Sequence, residues 1–176
     1  MKKIFFLAVI FFLVSLFASS ENPLMGKDAP EFTVKSGDGK EIGLKDVKGK
    51  VVTLFYESKN EIEKNRKLKT ELNKFYEKQP EIIQEEVVKL AVVNCKNVFF
   101  ASAWKSALRE NSLKEGFTIY GDWSGKMASA YKASDNDSNF VIIDKHGVIR
   151  YYYSGSVGDR EIDKIKSLLR QLTKEK

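Results

Sequence analysis

Cysteine and histidine are nearly absent from this sequence of 176 residues, which contains one of each. A single cysteine excludes an intramolecular disulfide, a Cys-x-x-Cys redox pair and any zinc site built on two thiolates. Only three prolines are present, and no linker rich in proline, glycine or serine divides the chain after its first twenty residues. The sequence therefore predicts one domain over residues 21–176, for which we expect neither a metal nor a cofactor.

The chain is mildly basic, with 30 Lys and Arg against 24 Asp and Glu. Acidic and basic residues are interspersed, and no basic face with interleaved aromatic residues stands out. Nucleic-acid binding normally requires such a face, so nucleic acid is not an expected partner.

The first twenty residues have the three parts of a secretory signal peptide. Two lysines follow the initial methionine, residues 4–17 are apolar except for one serine, and Ala18-Ser19-Ser20 supplies small residues. The apolar run is shorter than the roughly 20 residues that a membrane-spanning helix needs. We expect cleavage between Ser20 and Glu21, and a mature chain in a bacterial periplasm or outside the cell. The alternative is an uncleaved N-terminal anchor, which would attach the protein to a membrane.

Hydrophobic and β-branched residues predict several strands. Residues 31–44 are typical of a β-hairpin around the turn residues 36–39. Residues 51–56 and 87–93 form nearly continuous apolar runs, as strands buried on both faces do. Further strands are predicted at residues 117–120, 140–143 and 148–153.

Four helices are predicted between and after these strands, from apolar residues at helical spacing. The first is expected to begin at a capping box formed by Asn60 and Glu63. The next two cover residues 101–110 and 126–132, and Asp159 is expected to cap the last. The alternation of strands and helices predicts an α/β fold, with helices on both faces of a mixed sheet.

Three short motifs occur in order along this pattern: Gly26-Lys27-Asp28-Ala29-Pro30-Glu31-Phe32, residues 44–52, and Ile143-Asp144-Lys145-His146-Gly147. With them the chain resembles the redoxin branch of the thioredoxin-like superfamily. The resemblance implies a thioredoxin-like mixed sheet with helices on both faces and an N-terminal β-hairpin.

The chain also resembles the YtfJ-type family, small exported bacterial proteins with a redoxin-like fold. The matching residues are Glu63-Lys64-Asn65, Val92-Val93-Asn94, Ser138 and the run 141–151.

The chain departs from the redoxins at their active site. That resemblance implies at least one cysteine just after the central strand, but residues 56–64 contain no sulfur. It also implies a cis-proline before the hairpin strand, where this chain has Ser138. A cis peptide bond without proline costs about 2.5–4 kcal/mol. Both departures argue against thiol or peroxide chemistry by the usual redoxin route.

Five polar residues are expected to occupy the vacated redox position: Glu57, Ser58, Lys59, Asn60 and Ser138. Ligands of α/β sheets bind beyond the carboxyl ends of the strands, and a helix start presents free N–H groups to an anion. These residues are therefore a candidate site for a ligand or a partner. The alternative is an ordinary helix cap, which uses the same residue types.

Three other features have weaker functional interpretations. Cys95 is expected to be a small buried residue, and the alternative is an exposed, redox-sensitive thiol. Residues 135–146 begin like a calcium-binding loop but lack its glycine and its final glutamate, so we expect a polar loop with His146 exposed. Aromatic residues are expected mainly in the core, with Tyr152 facing opposite to Tyr151.

The sequence thus predicts an exported, non-catalytic binding or accessory protein of the cell envelope. Its partner would be another envelope protein or a small polar ligand. The alternative is an antioxidant or thiol-redox enzyme that uses Cys95 or a partner's thiol.

Overall fold

A computed structural model describes residues 22–175, over which seven strands and five α-helices alternate. The predicted signal peptide, with its cleavage point between Ser20 and Glu21, lies outside these residues. The strands are β1 (Thr33–Ser36), β2 (Glu41–Gly43), β3 (Val51–Glu57), β4 (Val87–Asn94), β5 (Ile119–Asp122), β6 (Ser138–Ile143) and β7 (Ile149–Ser154). The helices are α1 (Arg66–Glu77), α2 (Glu81–Glu85), α3 (Ala101–Glu115), α4 (Lys126–Tyr131) and α5 (Asp159–Lys174).

One mixed sheet contains all seven of these strands, in the order β2-β1-β5-β4-β3-β6-β7. The central strand β3 runs parallel to β4 and antiparallel to β6. The first two strands form the predicted N-terminal hairpin. The carboxyl ends of β3, β4 and β5 therefore lie at one edge of the sheet.

Side chains of β3 alternate between the two faces of the sheet, as the pleat of a strand requires. Val52 and Leu54 enter a core that α4 covers. Val51 and Phe55 enter a second core, formed with α1 and α5. The predicted mixed sheet with helices on both faces is therefore confirmed.

The predicted helix starts at residues 101 and 126 are confirmed, whereas those of the first and last helices are wrong by one to a few residues. Asn60 lies in a short 3-10 turn, and α1 begins at Arg66 with Asn65 as its N-cap. Glu63 forms an ion pair with Arg66 instead of completing a capping box with Asn60. Asp159 is the first residue of α5, where it pairs with a lysine of α1. For Glu63 and Asp159, an ion pair takes the carboxylate that local capping would have used.

Helix α3 extends five residues beyond its predicted end and stops before Gly116, which has a left-handed φ of 73°. Glycine adopts this conformation without steric cost, so it commonly ends helices.

Across residues 22–175, every helix is too short or too polar to cross a membrane.

Candidate functional site

Three buried polar residues and one half-buried lysine form a cluster at the carboxyl end of β3. This polar cluster consists of Glu57, Asn65, Lys69 and Ser138. The antiparallel register of β3 and β6 places Ser138 directly opposite Glu57. The Ser138 hydroxyl donates a hydrogen bond to Oε1 of Glu57 at 2.6 Å, and the Lys69 ammonium donates one to Oε2 at 2.7 Å. A carboxylate thus lies at the last residue of the central strand, directly before the segment in which the redoxin resemblance implies a thiol.

Asn65 links the cluster to the end of the β6–β7 hairpin. Its amide Nδ2 donates to the Ser138 hydroxyl at 2.9 Å and to the carbonyl of Gly155 at 2.8 Å. Its Oδ1 accepts a hydrogen bond from the backbone N–H of Val157 at 2.9 Å. Because Asn65 is also the residue before α1, these bonds set where that helix begins.

The polar side chains of the cluster are all hydrogen-bonded, but burial of the Glu57 carboxylate costs electrostatic free energy. Burial raises the pKa of Glu57, while the charge and hydrogen bond of Lys69 and the Ser138 hydroxyl act in the opposite direction. Over residues 22–175, every buried side-chain nitrogen and oxygen has a hydrogen-bond partner. Such a closed network rigidifies its surroundings.

The five residues expected at the vacated redox position are only partly brought together. Glu57 and Ser138 are in contact but are 4% and 0% exposed. Ser58 is half-buried, and Lys59 and Asn60 are exposed. The cluster fills the space between Glu57 and Ser138, and a ligand or partner site at these five residues stays a prediction. The open space lies beside the cluster.

Cys95 follows β4 and is 1% exposed. It packs with Val93 and Leu108, and its backbone N–H donates to the carbonyl of Asp122. Burial, with a smaller contribution from Asp122, raises the pKa of the Cys95 thiol to about 12. The thiolate is the reactive form of cysteine, so this environment disfavours the exposed, redox-sensitive alternative.

A groove of about 630 Å³ lies next to the polar cluster, between α1 and α3. Its floor is formed by β3, β4 and β5. The register of these strands places Phe55, Ala91 and Ile119 in one row across the floor. The small Ala91 side chain lies between two larger ones, which makes the middle of the floor lower than its sides.

Charged side chains surround the groove, and two of its cations are already paired. Arg66 forms an ion pair with Glu63, and Lys69 forms one with Glu57. Lys59 instead lies over the ring of Trp104, 5.7 Å from its centroid.

At the other end, Lys89 lies 5.4 Å from the centroid of the Tyr76 ring and donates to the side chain of Asn73 at 3.5 Å. Within the residues that the structure describes, neither Lys59 nor Lys89 forms an ion pair with a carboxylate.

Sequence reasoning missed most of this groove. Asn65 entered only through a family resemblance, and Lys69, Trp104 and Ala91 were not singled out. One signal was available: Lys89 interrupts an otherwise apolar strand, which indicates that the sheet face is uncovered there. Trp104 carried no such signal, because its contact with Lys59 joins distant segments.

The remaining candidates have structural explanations. The Asp135 carboxylate accepts a hydrogen bond from Asn94, and Asp137 pairs with Lys64. Throughout the described part of the chain, no three His, Cys, Asp or Glu side chains are placed to hold a metal ion. His146 is exposed, as expected.

The aromatic residues divide between core and surface. Tyr151 and Tyr152 pack on opposite faces of the sheet, which confirms their predicted alternation. Phe99 and Phe100, expected in the core, are 95% and 75% exposed. They precede α3, where the chain leaves the sheet edge before any element covers them.

The AhpC/TSA family matches residues 25–152 of the chain. No curated protein matches the chain in sequence.

Solved structures share the fold. A protein assigned as the thiol:disulfide interchange protein DsbE of Chlorobium tepidum superposes with a TM-score of 0.63 at 17% identity, covering 85% of this chain and 97% of its own. The exposed lipoprotein thioredoxin Etrx1 of Streptococcus pneumoniae gives 0.57 at 24% identity, over 81% and 100%. An uncharacterized conserved protein from Geobacillus kaustophilus gives 0.63 at 19% identity, over 88% and 84%. These similarities confirm the thioredoxin-like fold.

Proposed function

The chain belongs to the AhpC/TSA family, and we propose that it is an exported member that binds a partner in the cell envelope without thiol chemistry. Within that family we place it with the YtfJ-type proteins. The partner is another envelope protein or a small ligand.

The polar cluster is the observation that carries this proposal. A nucleophilic thiol is activated when a helix start or a nearby cation stabilises its thiolate. Here the cation is Lys69, and it pairs with the Glu57 carboxylate at 2.7 Å. Lys69 therefore pairs with a carboxylate, and residues 56–64 contain no thiol for it to activate.

The state of the only thiol supports the same conclusion. Cys95 is buried, and the pKa of about 12 leaves almost none of it ionised near neutral pH. A redox reaction at Cys95 would first require the chain around it to open.

The export part of the proposal rests on the N-terminal sequence. A charged start, an apolar run and small residues before Glu21 are the three parts of a secretory signal peptide. An open groove beside a rigid cluster suits a binding role, since ligand sites are usually pre-formed concave surfaces.

The proposal predicts that the exported protein has no thiol-disulfide reductase or peroxidase activity. Insulin reduction and peroxide consumption should both equal the rate without protein, and Cys95→Ser should change neither. A thioredoxin run in parallel shows that the assays respond. Turnover that disappeared in Cys95→Ser would contradict the proposal and favour an antioxidant enzyme.

A further inference from the structure

The groove between α1 and α3 has a composition that selects one class of ligand. We propose that the groove holds a monocarboxylate with an unbranched apolar chain, an inference that rests on the proposed binding function. The carboxylate lies at Lys59, and the chain extends over Ala91 along the floor.

The floor provides an apolar trough of suitable size. Pockets of roughly 300–1,000 Å³ hold small organic ligands, and this groove has about 630 Å³. Phe55, Ala91 and Ile119 form the row across its middle, with the smallest side chain in the centre. From the row of Val93 to that of Lys89 the floor spans about 13 Å, at about 3.3 Å per residue. A narrow chain fits this shape better than a broad ring system.

The walls leave this trough open along its length. Helix α3 turns the small side chains of Ala103 and Ala107 toward the groove. Of the fifteen residues of α3, only Leu108 is buried. The helix therefore covers the edge of the floor and does not fill its centre.

The charged side chains at the two ends of the groove determine which sign of ligand charge it attracts and at which end that charge lies. Near the polar cluster, the carboxylates of Glu57 and Glu63 are each neutralised by a cation. Lys59 remains, held over the face of Trp104. The uncompensated charge at this end is positive, so it attracts an anion.

The other end of the groove is less favourable to an anion. Glu115, eleven residues after Trp104 at the end of α3, also borders the groove and adds a negative charge there. Lys89 already donates to Asn73. A carboxylate head is therefore placed at Lys59, with the apolar chain pointing toward Lys89.

Trp104 gives a direct readout of this site. The sequence has two tryptophans, so Trp123→Phe leaves Trp104 as the only one. The experiment titrates the purified exported protein in this background with decanoate, kept below its micelle concentration. We expect a saturable change in Trp104 fluorescence. Decyltrimethylammonium, with the same chain and opposite charge, should bind at least about tenfold more weakly, because Lys59 repels it.

Variants then test the head and the floor separately. Lys59→Gln should weaken decanoate binding by about fivefold, the range of a partly exposed ion pair. Ala91→Phe fills the centre of the trough and should weaken it by about tenfold or more. Lys105→Gln is the matched control, because this lysine follows Trp104 on α3 but lies over the ring at position 123. It should leave the affinity unchanged.

Several outcomes would overturn the inference. Equal affinity for decyltrimethylammonium and decanoate would refute the charge argument. If Lys105→Gln weakened decanoate binding as much as Lys59→Gln, the effect of Lys59 would be non-specific. A loss in Lys89→Gln as large as that in Lys59→Gln would refute the placement of the head. An absent fluorescence change would refute the ligand class alone, whereas thiol turnover would refute the proposed function. Circular dichroism of each variant checks that it is folded.

Discussion

Asparagine residues five positions apart show how single side chains divide between surface and structure. Asn60 is exposed in a short turn, whereas Asn65 is 2% exposed and its side chain is hydrogen-bonded to three distant residues. Removing a buried side chain of this kind leaves its partners unsatisfied. That loss costs about 1–3 kcal/mol for each polar group that cannot reach water.

Asn65→Ala is therefore expected to lower the free energy of unfolding by about 2–4 kcal/mol. Asn60→Ala is the matched control and should change it by less than about 0.5 kcal/mol, as exposed positions do. Urea denaturation followed by circular dichroism measures both. Equal effects of the two substitutions would show that Asn65 does not organise the polar cluster.

Helix α1 shows how an element is held by charges as well as by its apolar face. Its inner residues Leu68 and Leu72 pack with α5 in the second core. On the outside, Glu71 accepts hydrogen bonds from Lys166 of α5 at 2.8 Å and from Lys74 at 3.1 Å. These two lysines lower the pKa of Glu71 from its ordinary value of 4.5 to about 2.

This shift predicts a contribution to stability that disappears in acid. A carboxyl group with a lowered folded-state pKa stabilises the folded protein above pH 4.5, and this contribution is lost as the pH falls toward about 2. Thermal unfolding between pH 2 and pH 6 should show that Glu71→Gln differs from the unmodified chain most at pH 6 and least at pH 2. The substitution lies on the surface, so its effect is expected to be small.

Glu77→Gln, at an exposed position of the same helix, is the control for this measurement. It should leave the acid dependence unchanged. A difference between Glu71→Gln and the unmodified chain that stayed constant with pH would rule out a titrating contact between α1 and α5.

On the scale of the whole molecule, the two faces of the sheet are covered differently. One face lies under α4 and the segment before β1, which close a continuous core. The other face lies under α1 and α5 on one side and α3 on the other. The space between α1 and α3 is the groove, and its position follows from this uneven coverage.

The proposed export gives a prediction for the whole chain. Intact-mass measurement of the protein from the cell envelope should show a product that begins at Glu21, because Ser20 ends the small-residue stretch. A chain that still contains residues 1–20 would indicate an uncleaved anchor. Protein purified from the cytoplasm alone would contradict export.

Much of the fold could be predicted because its signals are local. The apolar runs at β3 and β4 and the turn residues before β2 identify strands by composition and periodicity alone. The absence of sulfur between Tyr56 and Lys64 can likewise be read directly from the sequence.

The site required the tertiary structure, because its residues meet across large separations in the chain. Glu57 and Ser138 are partners through strand register, and Lys59 meets Trp104 through the placement of α3. Local rules placed the start of α1 at Asn60, but the long-range hydrogen bonds of Asn65 moved it to Arg66. The sequence by itself determined which side chains are available and which chemistry is missing. The packing of α1 and α3 on the sheet decided that Glu57 and Ser138 are buried and that the open space lies over Ala91, because only assembled elements determine what remains uncovered.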